Sequence, residues 1–337
     1  MKLESLNLQT AGSLATDPIG WGYTSGRISV LETLLLNRSF FESLIKAKSI
    51  SEARAVLSKT QYRSVFAVDD SLYNYASSLE HYSEALMSDV LNYSPDHILK
   101  YYLNLKLRYM VFRNLFIRGS IRGATAEELE SYFDGFVLLT DELDALESHH
   151  IMLIGRETVQ LAGPVARSLY LDSANCTLAL THAGLIREEL ARRTLNDMSL
   201  LQSWSSILRS RWNGTSPDTI KRWFILPKEY KDFVVETGIF SDSQPVTSLG
   251  GRVSESTLNF LYELGTERIR DNIDRAVGES IREQIVQCRK VTYGPERILS
   301  FAVASGVEQE NLRLSLAAVV HGIEPQVIVE MLRREYA

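Results

Sequence analysis

Residues 311–332, NLRLSLAAVVHGIEPQVIVEML, decide the fold. A long apolar run reaches His321, meets Gly322, and two residues later a new apolar run starts behind Pro325. This is the pattern of a helix that ends at a glycine in the left-handed region, takes a cap, and gives way at once to a second helix. Glycine has no Cβ to clash there, and proline at the first helical position gives up only an N–H that the helix would leave unpaired. The same pattern occurs twice earlier. Residues 112–133 read FRNLFIRGSIRGATAEELESYF around Gly123, and residues 204–224 read WSSILRSRWNGTSPDTIKRWF around Gly214. The second position after each glycine is Thr125, Ser216 or Glu324, and the third is Ala126, Pro217 or Pro325. Three αα-hairpins at near-domain spacing imply three related helical units, placed at 1–135, 136–240 and 241–337, with Gly123, Gly214 and Gly322 as the repeat hinges.

Outward from these hairpins the chain continues to read as helix. Only 8 prolines occur, none of them between Pro18 and Pro95 or between Pro95 and Pro164. Ser94-Pro95 and Ser216-Pro217 have the form of an N-cap with proline behind it. Capping-box spacing, in which two side chains satisfy each other's orphan N–H groups, is present at Ser39/Glu42, Ser49/Glu52 and Thr125/Glu128. Ile98, Tyr101, Tyr102, Leu105, Tyr109 and Phe112 mark one face of a helix, and Leu258, Leu261, Leu264, Ile269 and Ile273 mark another; both stripes read as core. Gly20-Trp21-Gly22 and Gly250-Gly251 read as turns. Alternating Val, Ile and Thr stretches are almost absent, so the fold class expected is all-α.

The 337 residues allow two to three domains. A composition 45% apolar and 23% charged excludes disordered and fibrous classes. Lys and Arg number 36 against 42 Asp and Glu, which gives a net charge of −6 and argues against a nucleic-acid partner, since counterion release needs clustered cations. Two distant cysteines, Cys176 and Cys288, make neither a disulfide scaffold nor a zinc knuckle, and a reducing cytoplasm is expected. No stretch approaches the roughly 18 apolar residues of a membrane span. The opening MKLESLNLQTAGS lacks the apolar core of a signal peptide, so the sequons at Asn37 and Asn213 read as chance matches.

Catalytic chemistry is not visible in the residue patterns. No GxxxxGK[ST] loop offers a phosphate nest. His149-His150 beside Glu147 lacks a third metal ligand, and adjacent residues point to different helix faces. Cys176 has no helper His and Asp nearby in sequence. Glu127/Glu128 and Asp141/Glu142/Asp144 read as first-turn carboxylates, favoured by the helix dipole; His321 is the corresponding cation at a helix end. Arg192/Arg193 and Arg333/Arg334 read as solvated helix faces or helix ends. No catalytic, cofactor-binding or metal-binding residue is therefore assigned, and no cofactor is expected.

The opening GYTSGRISVLETLLLNRSFFESLIKAKSISEARAVLSKTQY resembles the start of the C subunit of A/V-type rotary ATPases, a family related to the d subunit of the eukaryotic V-ATPase. The resemblance rests on Arg27, the Leu34-Leu35-Leu36 run, Phe40-Phe41-Glu42, and Leu57, Thr60 and Tyr62. At the other end, YGPERILSFAVASGVEQENLRLSLAAVVHGIEPQVIVEMLRREYA has the aromatic-Gly-Pro lead-in, then Glu308, Asn311, Leu312 and Arg313, then Gly322 and a closing Leu-Arg-Arg-x-Tyr. The chain departs from the family pattern at Ser305-Gly306-Val307, which precedes the retained Glu308, and at Phe112-Arg113. The resemblance implies three helical units in a funnel of pseudo-threefold symmetry. It implies a non-catalytic rotor part between a soluble central shaft and a membrane proteolipid ring, coupling ATP turnover to proton or sodium transport. The partners so implied are shaft subunits and ring; contact with the membrane would come only through the ring, and the chain would be a cytoplasmic monomer within a hetero-complex. A free-standing helical-repeat scaffold for a protein partner is the alternative. Arg27, Glu308, Asn311 and Arg313 are the expected structural motif residues. Glu308 and Arg313, five apart and about 500° around a helix, cannot pair with each other. Each is expected to reach a neighbouring element, such as the N-terminal segment around Arg27.

Overall fold

A computed structural model of the chain describes residues 18–66, 74–95, 99–100, 163–224 and 273–334. Between them it also describes 102–103, 106, 113, 116–117, 119–125, 127–129, 226, 230, 254 and 257. The fold is all-α, with no strand among the described residues. Chain contacts divide into two compact units, Met1–Lys100 with Arg282–Ala337, and Tyr101–Ile281.

The first unit contains α1 (Pro18–Glu32), α2 (Arg38–Ile45), α3 (Ile50–Leu57), a 3₁₀ turn at Gln61–Arg63, and α4 (Tyr75–Asn92). The second contains α5 (Gly163–Ala183), α6 (Glu189–Trp212) and α7 (Pro217–Trp223). α8 (Ile273–Lys290) leads back into the first unit, which closes with α9 (Pro295–His321) and α10 (Pro325–Met331). In the first unit one core joins both ends of the chain. Phe41, Leu44, Leu57, Tyr62 and Phe66 from the N-terminal side pack with Leu312, Leu316, Ile328 and Leu332 from the C-terminal side. The second unit is built on the antiparallel α5–α6 pair, with Leu169, Leu171 and Leu178 facing inward from α5 and Leu200, Trp204 and Ile207 from α6.

The three hairpin glycines all have positive φ: 78° at Gly123, 82° at Gly214 and 66° at Gly322. Each hairpin closes with the same long hydrogen bond. The N–H of the residue after the glycine reaches back five positions, from Ala124 to Gly119, Thr215 to Ser210 and Ile323 to Ala318, at 2.9–3.0 Å. That is the Schellman closure, which satisfies a carbonyl the helix end would leave unpaired. Six residues beyond each glycine sits a buried aliphatic side chain, Leu129, Ile220 or Ile328. The caps differ. Thr125 and Glu128 form a reciprocal box, Ser216 accepts from the Thr219 N–H at 3.2 Å, and Glu324 makes no side-chain cap. Replacing Gly214 with valine should cost roughly 1–2 kcal/mol from backbone strain alone, because a Cβ there meets nothing within 4 Å. Asparagine at the same place should cost less, and urea unfolding of the two variants measures the difference.

Some local expectations need correction. Gly20-Trp21-Gly22 is not a turn but lies within α1, where Trp21, 3% exposed, anchors the helix and burial overrides glycine's poor propensity. Ser39 does not cap α2. Asn37 does, two residues earlier, accepting from the Phe40 N–H at 3.1 Å while Glu42 pairs with Arg38 at 3.0 Å. Ser49 does cap α3, accepting from the Glu52 N–H. Of the two apolar stripes, Tyr102 is described and buried, and Ile273 opens α8. Their other members lie outside the described residues, as do His149, His150, Asp141, Glu142, Asp144 and Gly250-Gly251.

Candidate functional site

One convergence of side chains in the first unit is centred on Glu308, on the middle turns of α9. Its Oε1 accepts from the Tyr62 hydroxyl at 2.6 Å and from Gln61 Nε2 at 2.9 Å. Its Oε2 accepts from the Leu36 N–H at 2.6 Å. The sequence places these donors for local reasons. Leu36 lies in the turn between α1 and Asn37, and Thr60 caps the 3₁₀ turn by accepting from the Tyr62 N–H at 3.1 Å. Leu57 is buried in the core just before that turn. Leu36, Leu57, Thr60, Tyr62 and Glu308 thus form one assembly, a carboxylate receiving two turns that lie 246 and 272 residues away in sequence. Burial pushes the Glu308 carboxyl above its ordinary value, opposed by the three hydrogen bonds. Burial, followed by the Glu308 charge, raises the Tyr62 phenol well above its ordinary value. With 3% exposure and three donors in place, Glu308 is an anchor rather than a group that meets a substrate.

Asn311, one turn further along, is fully buried and holds the C-terminal segment. Its Nδ2 donates to the Arg333 carbonyl at 2.9 Å, and its Oδ1 accepts from the Arg333 N–H at 2.8 Å. Arg333 also reaches Glu310 at 2.7 Å. Arg313 extends across to Glu80 on α4 at 3.5 Å, an exposed pair. Arg27 is apart from this group. It pairs with Asp89 on α4 and lies 5.6 Å over the Tyr93 ring, half-exposed. The structure thus brings Glu308, Asn311 and Arg313 onto one helix facing three different elements, and it places Arg27 at the α1–α4 contact.

A second convergence was not anticipated from sequence. Arg297 in the first turns of α9 donates to Glu32 Oε2 at 2.8 Å, to Ser29 Oγ at 2.9 Å and to the Arg289 carbonyl at 2.6 Å. Arg289 approaches the other Glu32 oxygen at 3.4 Å. α9 starts here because Gly294 takes φ 140° ahead of Pro295, and a Cβ at Gly294 would lie 2.6 Å from the Glu296 carboxylate. Of the aromatic-Gly-Pro lead-in, it is Gly294 whose positive φ calls for glycine, and Arg297 follows three residues later.

In the second unit, Arg113 Nε donates to Asp172 at 2.5 Å, and the other Asp172 oxygen accepts from Ser206 at 3.2 Å. Asp197, fully buried, accepts from the Ser254 N–H and hydroxyl and from the Thr257 hydroxyl. Burial raises the Cys176 thiol to about 12 and lowers the neighbouring Lys106 amine. A thiol held that high is protonated and unreactive at neutral pH. Among the described residues no group of three His, Cys, Asp or Glu is arranged to hold a metal, and no helix is long and apolar enough to cross a membrane.

Residues 24–151 match the family model described as ATP synthase (C/AC39) subunit. The resemblance to this A/V-type family carried by the N-terminal segment is thereby found again, over somewhat more than a third of the chain. The match takes in Arg27, Leu36, Thr60, Tyr62 and the Gly123 hairpin; the segment from Tyr293 onward, with Glu308 and Asn311, lies outside it. No curated protein matches the chain. The matched family is a subunit of an ATP-synthase complex.

Proposed function

We propose that the chain is a non-catalytic rotor subunit of an A/V-type ATPase or ATP synthase, sitting on the cytoplasmic side between the central shaft and the membrane proteolipid ring. In that position it couples ATP turnover to proton or sodium transport. The observation that carries the reading is the match of residues 24–151 to the ATP synthase (C/AC39) subunit family. The way those residues fold supports it. The part of the matched segment that lies in the first unit does not stand alone but shares its core with α9 and α10, the elements whose sequence carries the rest of the resemblance. A part that transmits torque must be stiff, and a carboxylate saturated by donors from two turns, together with a C-terminal segment tied down through Asn311, stiffens the unit that contains both chain ends. The three-unit division at 1–135, 136–240 and 241–337 belongs to the same reading, with the shared hairpin geometry at Gly123, Gly214 and Gly322 as its support.

Reconstitution tests it. Membranes stripped of their soluble head are recombined with head and shaft subunits, with and without this chain. ATP-driven ion transport should recover only when the chain is present, and its binding to the ring should weaken as salt rises, since exposed charges are screened within about 10 Å at 0.1 M. Equal recovery without the chain would overturn the coupling role and leave a helical scaffold for another partner.

A further inference from the structure

Charge is unevenly spread along the first unit. Residues 38–64 hold six cations, Arg38, Lys46, Lys48, Arg54, Lys59 and Arg63, against two acids, Glu42 and Glu52. Six against two gives this stretch +4 in a chain whose net charge is −6. Arg38 and Glu42 pair with each other at 3.0 Å. Lys46, Lys48, Lys59 and Arg63 are all exposed, and none of their side chains makes an ion pair or hydrogen bond with a described residue.

These four cations fall into two pairs. Lys46 closes α2, and Lys48 stands just ahead of Ser49, the N-cap of α3. Lys59 follows Ser58 at the other end of α3, and Arg63 ends the 3₁₀ turn. The 8 residues of α3, at about 1.5 Å each, hold the pairs roughly 12 Å apart. Between them α3 buries Ala53 and Leu57 and leaves Ser51, Ala55 and Ser58 exposed. Glu52 is the one carboxylate on this strip, and it accepts from the Lys48 N–H at 2.8 Å.

Cations at two ends, with small side chains and one acid between them, complement the opposite pattern on a partner. Residues i and i+7 of an α-helix lie about 10.5 Å apart along its axis and about 20° from the same face, so acids two turns apart would meet both pairs. A basic residue between those acids would meet Glu52. A lipid surface fits less well. No large apolar side chain is exposed in residues 38–64 to enter a bilayer, and Glu52 would face the anionic headgroups.

We propose that α3 and the turns that bracket it form a docking strip for an acidic α-helix of a protein partner. Lys46 and Lys48 meet one of its acidic turns, and Lys59 and Arg63 meet another two turns away. The strip rests on the charge pattern alone, so a failed reconstitution would leave it standing.

Fluorescence anisotropy of the full chain with two labelled alanine-based helical peptides tests it. One peptide carries glutamate pairs two turns apart with a lysine between them; the other has the same composition with its four glutamates contiguous. At about 25 mM salt the spaced peptide should bind saturably and about fivefold more tightly than the contiguous one, and raising salt to about 150 mM should weaken it several-fold. Lys48→Glu and Lys59→Glu, at opposite ends of α3, should each weaken the spaced peptide about fivefold. Lys290→Glu makes the same charge change at an exposed position on the end of α8 and should leave affinity within about twofold. All three positions are exposed, so far-UV circular dichroism should match wild type. Absence of saturable binding overturns the proposal, as does equal affinity for the two peptides or equal weakening by Lys59→Glu and Lys290→Glu. Tighter binding to phosphatidylserine vesicles than to the spaced peptide overturns it in favour of a membrane surface.

Discussion

Replacing Glu308 with alanine should destabilise the first unit by about 3–5 kcal/mol, because the change strands two buried donors and a half-buried one at once and opens a hole beside Tyr62. A single buried donor left without an acceptor costs about 1–3 kcal/mol. The Leu36 N–H, Gln61 and Tyr62 all lose their acceptor together. Glu308→Gln separates acceptor from charge. Its carbonyl can keep Gln61 and Tyr62, but its NH₂ then faces the Leu36 N–H, so roughly 1–3 kcal/mol should still be lost at neutral pH. The pH dependence supplies the sign. The folded-state value of Glu308 is raised by burial, so the stability tied to its protonated form is fully present below the ordinary carboxyl value and is lost as pH rises through the folded value. Wild type should therefore lose stability across that window while Glu308→Gln does not, and the gap between the two should narrow as pH rises. Urea unfolding at a series of pH values measures both effects; a gap that widens with pH would contradict the assignment.

The second large effect is expected at Arg297. Its side chain and that of Glu32 are 7% and 9% exposed, so Arg297→Met leaves a nearly buried carboxylate with only the longer Arg289 contact. Removing one partner of a buried pair typically costs about 3–5 kcal/mol. The compensating double change, Arg297→Met with Glu32→Gln, removes the stranded charge as well and should recover a good part of that loss. Comparing the single and double variants in a thermodynamic cycle gives the coupling directly. If the two losses simply add, the pair contributes nothing beyond its packing.

The hairpin glycines were legible in the sequence because their signal is local. A glycine, a Thr, Ser or Glu two residues on and an Ala or Pro at the third position all lie within one short stretch of backbone. The same locality made Ser216-Pro217 and Thr125/Glu128 readable. It also misled at Ser39, where a better acceptor, Asn37, stood two residues upstream and no local rule ranks the two. Gly20 and Gly22 were misread because what holds α1 helical there is the burial of Trp21, which propensity does not contain. Glu308 and Asn311 could be singled out by resemblance, but not their partners: Leu36 is 272 residues away and Arg333 is reached only by a chain reversal after α10. Arg297 gave no signal, since an arginine behind a proline at a helix start is locally unremarked until Glu32 is brought to it. The Arg113–Asp172 pair was hidden for the same reason.

The shared core of the two chain ends has a consequence for synthesis on the ribosome. Tyr101–Ile281 is one continuous stretch, and its helices can pair as they emerge. The unit that begins the chain has no such option. Phe41, Leu44 and Tyr62 wait for Leu312, Leu316 and Ile328, and the acceptor of the Tyr62 hydroxyl is made 246 residues after it. At about 5–20 residues per second, that interval is roughly 10–50 s during which an apolar N-terminal segment is translated but cannot close its own core. A chain stopped before α9 would lose not its tail but its beginning, so premature termination and C-terminal proteolysis should both yield products whose first hundred residues are the part that chaperones hold.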